Sequence, residues 1–193
     1  MSKLEVDAIE PQSGTTLTLG ASGDTITIPS GATLTNSGTA TGFGKVLQVV
    51  QGVKTDTSTI TGTTPASLGL SVSITPASAS NKILITAMCN LASTSGTKAG
   101  IKLYRNSTSI IDGVLDPPRV NATAQFKSES TEENECVIIH YLDSPSTTSS
   151  TTYTIYGFNT SSNSIYMNRT EADANTSGSV RSASVITAIE IAG

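Results

Sequence analysis

The sequence predicts an all-β protein, with a short N-terminal β-repeat or shaft segment followed by a jelly-roll-like β-sandwich. Three observations carry that expectation. Ser and Thr fill 59 of the 193 positions, while charged residues make up only 13%. Thr, Val and Ile are β-branched and suit a pleated surface, and Ser and Gly serve turns. Short apolar or alternating runs recur between clusters of Gly, Pro, Asn and Ser along most of the chain. No stretch combines the helical apolar period with capping signals over ten or more residues. Low charge with a mean hydropathy near zero also sets the sequence apart from disordered chains.

The N-terminal part divides in two. Residues 1–12 carry no repeat and read as an attachment arm. Residues 13–44 form one compositional block in which turn residues followed by Thr-apolar-Thr recur, centred near Leu17, Ile26 and Leu34. Alternation places Leu17 with Leu19 on one face and Ile26 with Ile28 on one face, Thr taking the other. One or two apolar side chains per unit cannot build a core alone, so such units must stack or wind with sister chains. An intertwined trimeric β-shaft buries these stripes, and Leu17, Leu19, Ile26, Ile28 and Leu34 are its expected seam. A flexible Gly/Ser linker is the competing reading, against which the regular alternation argues. Gly42-Phe43-Gly44 reads as the junction.

From residue 45 to 193 the strands lengthen into a sandwich head. They are expected near 45–54, 57–61, 68–75, 82–92, 98–105, 108–115, 120–128, 134–142, 151–159, 163–169 and 180–192. Turn signals separate them, among them Thr75-Pro76, Arg105-Asn106, Asp116-Pro117-Pro118 and Ser144-Pro145. About ten short strands without a helix indicate two sheets, with a jelly roll ahead of an immunoglobulin-like order.

Several chemistries are argued against. The net charge is -4 and the basic residues are scattered singly, so no run tracks a phosphate backbone and nucleic-acid binding is not expected. No apolar stretch approaches the roughly 18 residues of a membrane span, so no insertion is expected. Met1 to Glu10 lack the apolar region of a Sec-type signal, which points to synthesis in a cytosol. His140 is the only histidine, sits in an apolar strand run and has no Gly-x-Ser-x-Gly elbow to serve. No catalytic residue, metal ligand or cofactor is therefore assigned, and the chain is not expected to be an enzyme. Glu129, Glu132, Glu133 and Glu135 read as a solvated loop, without calcium-loop spacing. Cys89 and Cys136 lie in apolar runs and read as two buried free thiols, a disulfide being the alternative. Sugar stacking has little platform in five scattered tyrosines.

Longer stretches carry a resemblance. Leu4-Glu5-Val6-Asp7-Ala8-Ile9-Glu10-Pro11, the run from Thr16 to Ala32, Lys45 to Gln51, Ile74 to Ile85, Tyr141 to Pro145 and Ser184 to Ile191 together resemble virion structural proteins of marine tailed phages. The likeness is to tail-fibre-like or appendage proteins of cyanophage type. It implies a virion location after synthesis in the bacterial host cytoplasm, a homotrimer and a β-sandwich head. Tail fibre, capsid decoration and vertex appendage all stay open, as does a carbohydrate-binding or depolymerising surface protein. The expected partners are other copies of the chain, virion proteins at the N-terminal arm, and a host cell-surface glycan or protein. Rigid sandwiches carry recognition on loops. The candidate receptor-facing residues are Arg119 and Asn121 in 116–121, Glu132 and Glu133 in 129–135, and Glu171 and Asp173 in 170–179.

Overall fold

A computed structural model describes residues 9–11, 13–33, 35, 37–38, 46–177 and 179–193. The chain divides into two units, Met1–Phe43 and Gly44–Gly193.

In the first unit, turns fall where the sequence places them. Asp24 N–H donates to the Ala21 carbonyl at 3.0 Å, and Ala32 N–H to Pro29 at 3.1 Å. The Asp24 carboxylate accepts from the Ala21 amide at 2.6 Å. Gly14, Gly20, Gly23 and Gly31 supply the positive φ that these turns need. Among the described residues of this unit no strand ladder forms between the turns. Two apolar residues per unit give one chain too little surface to pair against. Leu34, residues 1–8 and the 42–44 junction lie outside the described residues.

Among the described residues the second unit holds eleven strands: β1 (Val46–Lys54), β2 (Ser58–Thr61), β3 (Ala66–Ile74), β4 (Lys82–Ser93), β5 (Lys98–Arg105), β6 (Thr108–Ser109), β7 (Ala124–Lys127), β8 (Glu135–Asp143), β9 (Thr151–Asn159), β10 (Ser164–Met167) and β11 (Ser184–Ile191). All pairs are antiparallel, and no helix occurs among the described residues. One sheet contains β1, β11, β4, β10, β2 and β8, the other β3, β9, β5, β6 and β7.

The registers show how these pieces combine. Leu91 of β4 pairs with both Glu135 of β8 and Met167 of β10, and Ala87 pairs with both Ile139 and Ile186 of β11. β10 and β11 therefore share one edge of β4 and act as one broken strand, with β8 on the other edge. In the same way β1 and β2 run on as one strand along β11 and β10, and β6 and β7 share one edge of β5. Counted so, eight ribbons form two four-ribbon sheets. The first pairs with the eighth, the second with the seventh, the third with the sixth and the fourth with the fifth. That wrapping is the double Greek key of a jelly roll.

The core lies between the sheets. Leu68, Leu70, Val72 and Ile74 of β3, with Ile101 and Leu103 of β5 and Tyr153 and Ile155 of β9, form one core with Ile83, Ile85, Cys89 and Leu91 of β4 in the other sheet. Alternation in β3, and in β9 as far as Gly157, sends every second side chain inward. At the β1 edge the sheets approach closely, and a Cβ on Gly52 would stand 2.0 Å from the Ser71 carbonyl oxygen. Only glycine fits there. Gly69, at φ +80, marks the irregular register between Ser67 and Leu70 of β3.

Two expected strands shorten. The 108–115 run pairs only over β6, and 120–128 only over β7, because isolated backbone bonds such as Gly113 N–H to the Ala122 carbonyl at 3.0 Å, together with side chains, hold the segment between instead of a continuous ladder. Lys102 Nζ donates to Asp112 Oδ2 at 2.9 Å and to Asn121 Oδ1 at 3.0 Å, tying both arms of that loop to β5.

Candidate recognition surfaces

The registers also define two ends of the sandwich. Val46 pairs with Ile191, which also pairs with Lys82, so β1 begins at the end carrying the 75–81, 106–107 and 144–150 connections. The opposite end carries the 62–65, 94–97, 128–134 and 160–163 connections, to which the long 168–183 segment reaches.

Side chains lock that far end. Ser93 and Ser128 exchange reciprocal bonds, each backbone amide donating to the other's hydroxyl at 3.0 Å. Ser95 N–H donates to Glu171 Oε2 at 2.6 Å, and the Ser95 hydroxyl to the Glu129 carbonyl at 3.0 Å. The Ala172 amide donates to the Thr131 carbonyl at 3.0 Å, and Asn134 Nδ2 to the Arg169 carbonyl at 3.1 Å. At the base, buried Asn168 donates to the Lys54 and Asp56 carbonyls and accepts from the Ser184 hydroxyl at 2.6 Å. One amide thus pins the β1–β2 bend to the start of the 168–183 excursion.

The predicted loop residues fall into two groups. Glu132, Glu133, Glu171 and Asp173 come together through these bonds. Glu132 lines an open cleft of about 480 Å3 with Asn134, Thr170, Ser179, Val180 and Ser182. Asp173 lies in an adjoining recess and ion-pairs with Arg181 at 2.8 Å. Glu171 and Glu133 are taken up internally, since Glu133 accepts from the Glu129 and Ser130 amides. The acidic run is thus largely turn chemistry, and Glu129 further pairs with Lys127 at 2.9 Å. Arg119 and Asn121 stand apart, on the outer face of the second sheet. Arg119 pairs with Asp116, and Asn121 lines a recess with Thr63, Pro65, Lys102, Val120 and Phe158.

The main cleft offers hydroxyls, an amide and a carboxylate, with Val180 as its apolar patch. Such a lining offers hydrogen-bond donors and acceptors, with no ring among its residues to stack on a ligand. Of the tyrosines, Tyr104 and Tyr156 stack on each other at 4.0 Å between centroids, and Tyr166 is covered by Arg169 at 4.2 Å. No group of three or more His, Cys, Asp or Glu side chains suited to a metal occurs among the described residues.

The cysteine expectation needs one correction: Cys89 is buried but Cys136 is exposed, and both are free. Cys136 pairs with Asn90, the neighbour of Cys89, so the two thiols point to opposite faces of the sheet. A disulfide does not fit that geometry. Burial pushes the Cys89 thiol up to about 12, with Cys136 adding to the effect, so it stays protonated.

Sequence reasoning missed a second surface, the outer face of the first sheet. Its outward side chains form level rows across β1, β11, β4 and β8. Val53, Val185, Met88 and Ile138 make one row, and Val49, Ile189, Leu84 and Leu142 another. Between them runs a polar row of Gln51, Thr187, Thr86 and His140. Val49 and Ile138 are each 60% exposed. The available signal was the unbroken apolar runs in these strands, which leave apolar side chains on both faces.

The sequence matches no family model, and no curated protein matches it.

Proposed function

We propose that the chain is a structural protein of a bacteriophage particle, made in the host cytoplasm and assembled as a homotrimer. In this reading residues 1–12 attach to a neighbouring virion protein, and residues 13–44 wind with two sister segments. The sandwich serves adhesion or particle stabilisation, as a tail-fibre-like appendage or as a capsid decoration.

One observation carries the self-association. Leu17, Leu19, Ile26 and Ile28 are 42%, 58%, 61% and 48% exposed in the single chain. An alternating stripe with no ladder partner among the described residues gains burial by pairing with another chain. The virion location rests on the sequence resemblance. Adhesion draws support from the far-end cleft, which lies away from the strand end where β1 begins. Three such clefts on one trimer would bind by avidity, each contact being weak.

The test is immunogold electron microscopy of particles from an infected culture, using antibody raised against residues 45–193. Label at a fixed position on intact particles is expected. Label confined to cell debris, with clean particles, would sink the virion reading.

A further inference from the structure

We propose that the outer face of the β1–β11–β4–β8 sheet is where other copies of this chain dock. This deepens the trimer reading above and rests on it, but it names a surface on the head rather than in the N-terminal segment.

Three features argue for a second copy as the occupant. The first is charge. Of the outward side chains on these four strands, only Lys82 at the margin, His140 and Cys136 are ionisable, in a chain with 26 acidic and basic residues, 11 plus 15. A copy meets this face without like-charge repulsion, and a strongly charged partner finds no complement on it.

The second is area. Four strands about 4.8 Å apart and nine residues long at about 3.4 Å each present roughly 600 Å2. That is the upper end of the apolar patches found on monomers. Buried on each of three copies around a common axis, such faces would remove roughly 1,800 Å2 of surface from water in all.

The third is pattern. Rotation about an axis along the strands keeps each row level. The Val53–Ile138 row of one copy then meets the same row of the next, as does the Val49–Leu142 row. The polar rows also meet, so Gln51, Thr86 and Thr187 hydrogen-bond between copies rather than being buried against apolar groups. Gln51 Nε2 already donates to Thr187 Oγ1 at 3.2 Å within one copy, and a register slip of one row would press this polar row against apolar groups. The apolar rows supply affinity and the polar row fixes the alignment.

The experiment is light scattering on the full chain from low micromolar to submillimolar concentration. Val49→Lys with Ile138→Lys is expected to drop the mass to the 19.8 kDa of one chain, or to raise the dissociation constant at least tenfold. Ser71→Lys, on the outer face of the other sheet, should leave the mass unchanged. Circular dichroism checks that each variant keeps its β content. Val49→Thr with Ile138→Thr preserves the β-branched shape and should shift the equilibrium in the same direction. A wild-type chain that is monomeric throughout overturns this proposal and the trimer reading together. An assembly that survives all the face substitutions but dissolves with Leu17→Asp and Ile26→Asp overturns the face alone. Dissolution by the face substitutions supports it.

Discussion

Glu190 is wholly buried. Burial pushes its carboxyl up, but bonds from Asn81 Nδ2, Gln48 Nε2 and the Ala77 and Ser78 amides outweigh that and hold it below its ordinary value of 4.5. A carboxyl lowered on folding adds stability that is present above pH 4.5 and lost as pH falls through the folded value. Glu190→Gln turns an amide N–H toward those donors and is expected to cost about 1–3 kcal/mol at pH 7. The wild-type carboxyl, once protonated, meets its donors in the same way. The urea-unfolding gap between the two proteins should therefore narrow steadily below pH 4.5. A gap that is constant from pH 7 to pH 3 would refute the charged reading. A second buried carboxylate, Asp143, receives Arg105 at 2.9 Å and the Tyr153 hydroxyl at 2.7 Å. Burial, followed by that bond to Asp143, pushes the Tyr153 phenol strongly upward, so it remains a donor. Both carboxylates were visible in the sequence only as residues near strand ends. Their partners lie far along the chain, and no local pattern announces them.

At the scale of elements, alternation made the strands legible. Ser71-Val72-Ser73-Ile74 and Tyr153-Thr154-Ile155-Tyr156 show one buried face each, and both form strands close to the expected bounds. Where the bounds failed, around Asp116-Pro117-Pro118, proline and the Lys102 bonds to Asp112 and Asn121 replaced a ladder. Loops were legible as loops from their turn residues. Which loops meet was not, because 128–134 and 168–183 join only through the jelly-roll wrapping. That meeting makes the 129–135 segment a wall of the cleft. Replacing it with a Gly/Ser stretch of equal length is expected to lower adsorption of the assembled protein to host cells several-fold while leaving its mass unchanged. Unchanged adsorption would remove this loop from the proposed adhesive surface. β8 shows why the outer apolar face was passed over. Val137-Ile138-Ile139 reads as a buried strand, yet Ile139 alone of the three is buried and Ile138 faces out.

At the scale of the whole molecule, two surfaces in separate units are left incomplete in one copy. The N-terminal segment has stripes and turns but no ladder among its described residues. The sandwich has a full core between its sheets and a second apolar layer outside one of them. On the proposed reading each is completed by the same thing, another copy of itself. Folding thus accounts for the jelly roll, and the proposed self-association would account for the apolar side chains that folding leaves exposed. The most direct test is the mass of the full-length chain in solution, measured by sedimentation equilibrium. The account predicts three times 19.8 kDa, falling toward one chain only on strong dilution. A single 19.8 kDa species at every concentration would contradict it.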